Sequence, residues 1–326
     1  MKILVTGGLG FIGHHVVRLL LDREDTVSII DNCTTYGHNC IDPDELEYLL
    51  DQRWQHIGQD LPHFEMSVSD TESMDDIIRS QRPDVIIHLA SFPRQRVVNN
   101  NPSWGSDVMS RGLINLLEGA SRYGVERFVY VSSSMVYGDF ADGVEEDHVC
   151  EPQGQYGILK LAGELLVRDY SRRTGMEHVI IRPSAVYGPR DVEDRVISRF
   201  MLSAMQGQPL RVKGADQALD FTYVTDAARG IVAAATRVTC RNMTFNITRG
   251  QAVTLSDAAD MVIATVGSGS VDLEERDTSY PERGALSIDR ARVVLGYTPE
   301  VDLKQGLELY HAWLRDSVYW SQKTAR

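Results

Sequence analysis

Lys2-Ile3-Leu4-Val5-Thr6-Gly7-Gly8-Leu9-Gly10-Phe11-Ile12-Gly13, running on into His14 to Leu21, decides how the rest of the chain reads. The apolar run that opens it has the character of a buried strand, the glycines make a tight turn, and the apolar pattern that follows is helical. Gly7 permits the turn, Gly10 lets a backbone approach a pyrophosphate, and Gly13 lets helix and strand pack closely. A helix beginning there offers free N–H groups and a positive dipole end to phosphates. The next expected strand, Thr26 to Ile30, ends at Asp31, the spacing at which a carboxylate meets the adenosine ribose hydroxyls. Glycine-rich turns also arise for steric reasons alone. Here the strand-turn-helix context and Asp31 make the stretch a dinucleotide site, with Phe11, Ile12 and Asn32 among the residues beside the cofactor.

The 326 residues, 43% of them hydrophobic, are enough for one large domain or two modest ones with a substantial core. A net charge of -13, without a basic tail, argues against a nucleic-acid partner. Cys33, Cys40, Cys150 and Cys240 lack metal-ligand spacing and fit a reducing compartment, so neither disulfides nor a metal are expected. The N-terminal apolar stretch imitates a signal peptide, but its glycines belong to the nucleotide turn. No stretch is long enough to span a membrane. A soluble cytoplasmic protein is the expectation.

Working outward, helices are expected near 44–53, 74–81, 108–123 and 156–173. Strands are expected near 64–68, 84–90, 127–131 and 178–181. This alternation implies right-handed crossovers and a parallel sheet. The expected fold is α/β, a Rossmann-type doubly wound parallel sheet over residues 1–180. A smaller C-terminal α/β substrate-binding domain follows over 181–326, with chain crossings back to the first. Its expected helices lie near 196–205, 225–235, 254–266, 289–295 and 303–316, with strands near 210–212 and 244–247. Ligands of such sheets sit beyond the carboxyl ends of the strands. Three ends should therefore converge on one crevice: the turn after Thr6, the serine triplet Ser132-Ser133-Ser134, and the segment after Arg182.

Tyr156 and Lys160 form a Y-x-x-x-K pair, one helical turn apart on one face. A free phenol titrates near ~10, too high for a base at neutral pH. A neighbouring ammonium and a cationic nicotinamide ring favour the phenolate. Such a group can remove a sugar-like hydroxyl proton while a hydride leaves carbon, and Ser133 can hydrogen-bond the same hydroxyl. The pair alone is common on helix surfaces; the serine-bearing strand end and the glycine turn give it meaning. His88, Ser132 and Tyr137 read as structural. Glu145, Glu146 and Asp147 read as a solvated loop, and nothing visibly activates Cys150.

Together, Gly7, Gly10, Gly13, Asp31, His88-Leu89-Ala90, Ser133, Tyr156, Lys160, Tyr187-Gly188-Pro189 and Asp220-Phe221-Thr222-Tyr223-Val224 strongly resemble the extended short-chain dehydrogenase/reductase family. The resemblance is to its NAD-dependent nucleotide-sugar epimerases and dehydratases, and it runs the length of the chain. It implies NAD as cofactor, with Leu89 and Ala90 beside it, a nucleotide-diphosphate sugar as substrate, and catalysis by Ser133, Tyr156 and Lys160. It also implies a homodimer formed through a four-helix bundle of the helices around 108–123 and 156–173. Substrate contacts are expected from Ser91, Ser134, Met135, Ser184, Ala185, Arg190, Arg211 and Arg283.

The departures from the family pattern narrow the reaction. The dehydratase branch carries an Asp-Glu pair where this chain has Ser134 and Met135, and a methionine cannot deprotonate C5. Ala185 replaces a substrate-contacting Asn, and Leu219 an arginine that clasps the diphosphate. Met109 and Ser67 replace polar groups near the cofactor without removing the pyrophosphate cradle. Arg283 matches the family's second diphosphate arginine, with Arg211 a replacement charge. Arg190 resembles an arginine that uronate-processing relatives place near a sugar carboxylate. The resulting expectation is an NAD-dependent nucleotide-sugar 4-epimerase that oxidises C4, lets the keto sugar rotate, and returns the hydride. An atypical dehydratase, using Glu145, Glu146 or Cys150, and a nucleotide-uronate decarboxylase are the enzymatic alternatives. An NAD-binding sensor or scaffold is the non-enzymatic one.

Overall fold

The computed structural model describes residues 1–34, 41–92 and 95–324. Seven strands form its central sheet: β1 Lys2–Thr6, β2 Thr26–Asp31, β3 His63–Glu65, β4 Val85–His88, β5 Arg127–Val131, β6 Glu177–Pro183 and β7 Met243–Ile247. Their spatial order is β7-β6-β5-β4-β1-β2-β3, and every pairing is parallel. The order reverses between β1 and β4, so the strand ends there open onto the crevice where doubly wound sheets bind ligands.

Residues alternate in facing across each strand, and the two faces therefore build separate cores. Ile3, Val5, Ile29, Ile87, Val129 and Ile181 pack with the helices Gly13–Asp22 and Val224–Thr236. Leu4, Ile30, Ile86, Phe128 and Ile180 pack on the other side with Thr71–Gln81, Gly112–Tyr123 and Gly154–Thr174. Local chemistry sets several helix bounds. Asp42 accepts from the backbone N–H groups of Asp44 and Glu45 to start Pro43–Ile57, and Gly58, at φ 78°, ends it. Gly175, at φ 78°, likewise ends Gly154–Thr174.

A third core, including Phe200, Met201, Leu210, Val262, Leu307 and Trp320, is built from residues between Tyr187 and Trp320. There Pro209–Lys213 pairs in parallel with Ser270–Glu274, and Ala218–Asp220 pairs antiparallel with Ala252–Thr254. Chain from beyond residue 180 also contributes to the core of the central sheet. β6 runs on to Pro183, while β7 and the helices Val224–Thr236 and Asp289–Leu295 return to the sheet. The expected strand 64–68 is short and displaced, because Met66, Ser67 and Val68 leave β3 to line a cavity. The helix expected at 108–123 begins with a π-turn over Asp107–Arg111. Cys40 and residues 35–37 of the loop after Asp31 lie outside the described residues.

Candidate active site

A cavity of about 670 Å³ opens along the carboxyl ends of the strands. One end is the glycine turn. At Gly7, φ is +71° and an added Cβ would stand 2.7 Å from the Ala90 nitrogen. A Cβ on Gly13 would overlap the Gly7 carbonyl oxygen, so only glycine lets this helix start so close to β1. Gly7, Gly10, Phe11, Ile12, Gly13, Asp31, Asn32, Leu89 and Ala90 all line this end. The Asp31 carboxylate accepts the N–H groups of Leu9 and Cys33, each at 2.9 Å. Burial nevertheless pushes its pKa up. Its remaining lone pairs suit ribose hydroxyls. These features fit a dinucleotide: a backbone cradle without side chains, a helix N-terminus and a fixed carboxylate.

The reacting end is set by Gly154–Thr174, which carries Tyr156, Lys160 and Glu164 at successive turns of one face. Tyr156 and Lys160 are buried in the protein and line the cavity beside Ser133. Lys160 Nζ donates to the Val131 carbonyl at 2.7 Å and lies 5.9 Å from the Tyr156 ring centroid. Burial brings the Lys160 pKa down to about 7, with Glu164 opposing the fall. Ser133 Oγ accepts the Met135 N–H at 3.2 Å, which leaves its hydroxyl proton for a ligand.

Of the expected substrate residues, Ser91, Ser134, Met135, Ser184, Ala185, Arg211 and Arg283 line the same cavity. The Ser91 and Ser184 hydroxyl oxygens are buried without a partner among the described residues. Arg211 is 77% exposed at the rim. Arg283 Nε is out of solvent contact and has no partner among the described residues, and burial lowers the guanidinium pKa to about 10. Arg190 is placed elsewhere: it is absent from the cavity lining, and its Nε donates to the Gln52 carbonyl at 3.2 Å. At φ +69° its backbone turns the side chain toward the Pro43–Ile57 helix.

The loop before Tyr156 also departs from its solvated reading. Glu145 and Asp147 are exposed, but Glu146 is buried, where its carboxylate accepts the Asn246 N–H at 2.8 Å. Cys150 packs with Val136 and Phe140, and burial raises its thiol pKa. None of these groups lines the cavity.

Sequence reasoning missed two supports. Glu164, fully buried, accepts from Ser132 Oγ at 2.7 Å and from Arg182 at 2.9 and 2.6 Å, which ties the helix of Tyr156 and Lys160 to β6. The repeat of Tyr156, Lys160 and Glu164 at four-residue spacing was the available signal. Arg53, also fully buried, donates to the Leu9 carbonyl at 3.0 Å and to the Arg190 carbonyl at 3.0 Å. It braces the glycine turn from behind, and no local pattern marks it.

Residues 3–248 match the NAD dependent epimerase/dehydratase family. The chain belongs to that family. A putative UDP-glucose 4-epimerase of Methanocaldococcus jannaschii is 31% identical over 322 residues, covering 97% of this chain and 99% of that protein. Other relatives are a dTDP-glucose 4,6-dehydratase of Streptomyces niveus (28% identical; 98% and 94% covered) and UDP-glucuronic acid decarboxylase 2 of Arabidopsis thaliana (29%; 99% and 70%). Among solved structures, a Thermus thermophilus UDP-glucose 4-epimerase in complex with NAD superposes with a TM-score of 0.87 at 26% identity, covering 98% of this chain and 100% of that one. A Bacillus cereus UDP-glucuronic acid 4-epimerase in complex with UDP-glucuronic acid and NAD gives 0.87 at 28% identity, with 96% and 98% covered. The protein is an NAD-dependent nucleotide-sugar enzyme of the epimerase/dehydratase type, on a Rossmann-type fold.

Proposed function

We propose that the protein is a nucleotide-sugar 4-epimerase. The supporting observation is the set of groups around Tyr156. Ser133, Ser134 and Met135 line the cavity beside it, whereas Glu145, Glu146 and Cys150 do not reach the lining. Dehydration needs a second base at C5, and no side chain in this stretch supplies one. Epimerisation needs none, because one tyrosine serves in both directions.

NAD, when bound, accepts a hydride from the sugar and returns it. Tyr156 takes the C4 hydroxyl proton at its phenolate oxygen, held by the Lys160 charge, and Ser133 donates to the sugar oxygen as the carbonyl forms. After the keto sugar has turned its other face, Tyr156 gives the proton back. Arg283, without a partner for Nε among the described residues, calls for an anionic ligand, and a nucleoside diphosphate bridges from it to the reacting end. With Arg190 turned away, the side chain expected to favour a uronate no longer does so. Leu219 and Ala185 instead enlarge the apolar share of the sugar end. A second copy of the chain is the expected partner: Ile158 and Leu165 are 51% and 59% exposed on Gly154–Thr174, and Ile114 is 38% exposed on Gly112–Tyr123.

Mass spectrometry with chromatography on a panel of uridine-, thymidine-, cytidine- and guanosine-diphosphate sugars tests the reading. Unchanged mass with altered retention, and an NMR change confined to C4, is the expected result. Loss of water or of carbon dioxide replaces the epimerase reading with a lyase.

A further inference from the structure

Behind the glycine turn, and outside the cavity, the fold gathers His14, His15 and His56. One ring nitrogen from each lies within 4.8 Å of those of the other two. The ring centroids are 4.1 Å apart for His14 and His15, 5.3 Å for His14 and His56, and 4.6 Å for His15 and His56. His14 is fully buried and His15 is 5% exposed, yet Nε2 of each has no hydrogen-bond partner among the described residues. Buried polar atoms are rarely left so.

The opposite edges of these two rings are anchored. His14 Nδ1 lies 2.9 Å from the Gly10 carbonyl, and the Pro189 carbonyl hydrogen-bonds His15. A carbonyl that accepts Nδ1–H fixes the tautomer and leaves the Nε2 lone pair facing outward. Metal-binding histidines are oriented in this way by their outer partners. Burial holds His14 and His15 well below the ordinary imidazole pKa and His56 at about 4, so all three are neutral at neutral pH. Neutral imidazole is the ligating form.

We propose that His14, His15 and His56 form a binding site for a late first-row transition ion, with Zn²⁺ as the test case and solvent completing the coordination. Imidazole nitrogen suits such ions, whereas Mg²⁺ and Ca²⁺ want oxygen. Zinc–nitrogen bonds of about 2.0–2.1 Å in a tetrahedral site require the three nitrogens to close to roughly 3.3 Å. His56, half-buried at the end of Pro43–Ile57, has the freedom to make that adjustment. The charges around the site oppose the ion: Arg53 and Arg190 act on the buried pair, and Arg18 and Arg190 act on His56, with Asp22 the favourable neighbour. The site is therefore weaker than a closed structural zinc site. Its occupant would join the start of the first helix, through the Gly10 carbonyl, to the end of the second. The sequence hid the site because two ligands are adjacent and the third lies one helix away.

The test uses the full-length holoenzyme, stripped with chelator, its NAD content measured, and titrated separately with Zn²⁺ and Co²⁺. About one ion per chain and the visible absorption of tetrahedral Co²⁺ are expected. His56→Gln should weaken uptake by roughly tenfold or more while NAD content and metal-free melting temperature stay unchanged. His14→Gln should weaken uptake similarly. No uptake by the unsubstituted protein, or equal affinity in His56→Gln, overturns the site.

Discussion

Tyr156 and His88 stand about the same buried lysine and make opposite demands on it. Tyr156 needs the Lys160 charge to become a phenolate. His88 is kept neutral by burial and by that same charge, which bring its pKa down to about 3. Its Nδ1 shares a 2.7 Å hydrogen bond with Thr6 Oγ1 at the root of the glycine turn. For catalysis, Tyr156→Phe should keep the fold and bound NAD while turnover falls by about 10²–10⁴-fold. Single-turnover reduction of bound NAD reads this directly, and undiminished reduction would remove Tyr156 from the proton-transfer role. For stability, the sign follows from the depressed pKa. The unfolded chain protonates His88 near 6.5 and the folded chain only near 3, so the folded state binds fewer protons between those values. Its contribution is full above pH 6.5 and is lost as pH falls, about 2–3 kcal/mol by pH 4.5. Urea unfolding from pH 7 to 4.5 should show a shallower pH slope in His88→Gln than in the unsubstituted protein.

Among the elements, Gly154–Thr174 brings Tyr156 and Lys160 to the cavity, and a buried ion pair holds it in place. Glu164 and Arg182 are both almost wholly out of water, with Ser132 on the same carboxylate. Removing one partner leaves an uncompensated buried charge, so Glu164→Ala should cost about 3–5 kcal/mol by denaturant titration. The residue lies one turn beyond Lys160, so activity should fall as well, through displacement of the lysine. A Glu164→Ala loss below about 1 kcal/mol would mean that water reaches Arg182. Elements of this length were legible in the sequence because their signals are local. The strand-turn-helix around Gly7, β5, and the helices Val196–Met205, Asp289–Leu295 and Leu303–Asp316 fall where periodicity places them. The two-residue strands Val186–Tyr187 and Thr222–Tyr223 were not legible, since each exists only through pairing with the other. Ser270–Glu274 alternates too weakly to be read, and the last helix, Val318–Thr324, is recognised by the burial of Trp320 rather than by pattern. The site shows the same division. The groups at motif spacing line one cavity, whereas Arg190, singled out by resemblance to an arginine of uronate-processing relatives, turns on a left-handed backbone to the Pro43–Ile57 helix.

At the scale of the whole molecule, the central sheet and one of its cores are completed by chain from beyond residue 180. β7 supplies the edge beyond β6, in parallel register from Met243 opposite Val179 to Ile247 opposite Pro183. The helix Val224–Thr236 covers the sheet face with Ala228, Ile231 and Val232, and Ile288, Ala291 and Leu295 close the same core. Arg127, at the start of β5, donates to the carbonyls of Ala235 and Arg237 at 3.0 and 2.7 Å, so even its buried guanidinium depends on the later chain. A fragment of residues 1–180 would expose this apolar face, leave Arg127 without those acceptors, and present the unpaired edge of β6. It should therefore be aggregation-prone or molten, with helical far-ultraviolet signal but no cooperative thermal transition. The full chain should unfold with NAD-dependent stabilisation, since a ligand held only by the folded state shifts the transition by mass action. A cooperative, NAD-binding 1–180 fragment would show instead that the returning segments add the substrate wall without being needed for the cofactor half. The two outcomes differ in where chemistry can diverge. If the fold needs β7 and its flanking helix, then substitutions at the sugar end are constrained by the core of the sheet, and substrate preference is free to change mainly through wall residues such as Ala185 and Leu219.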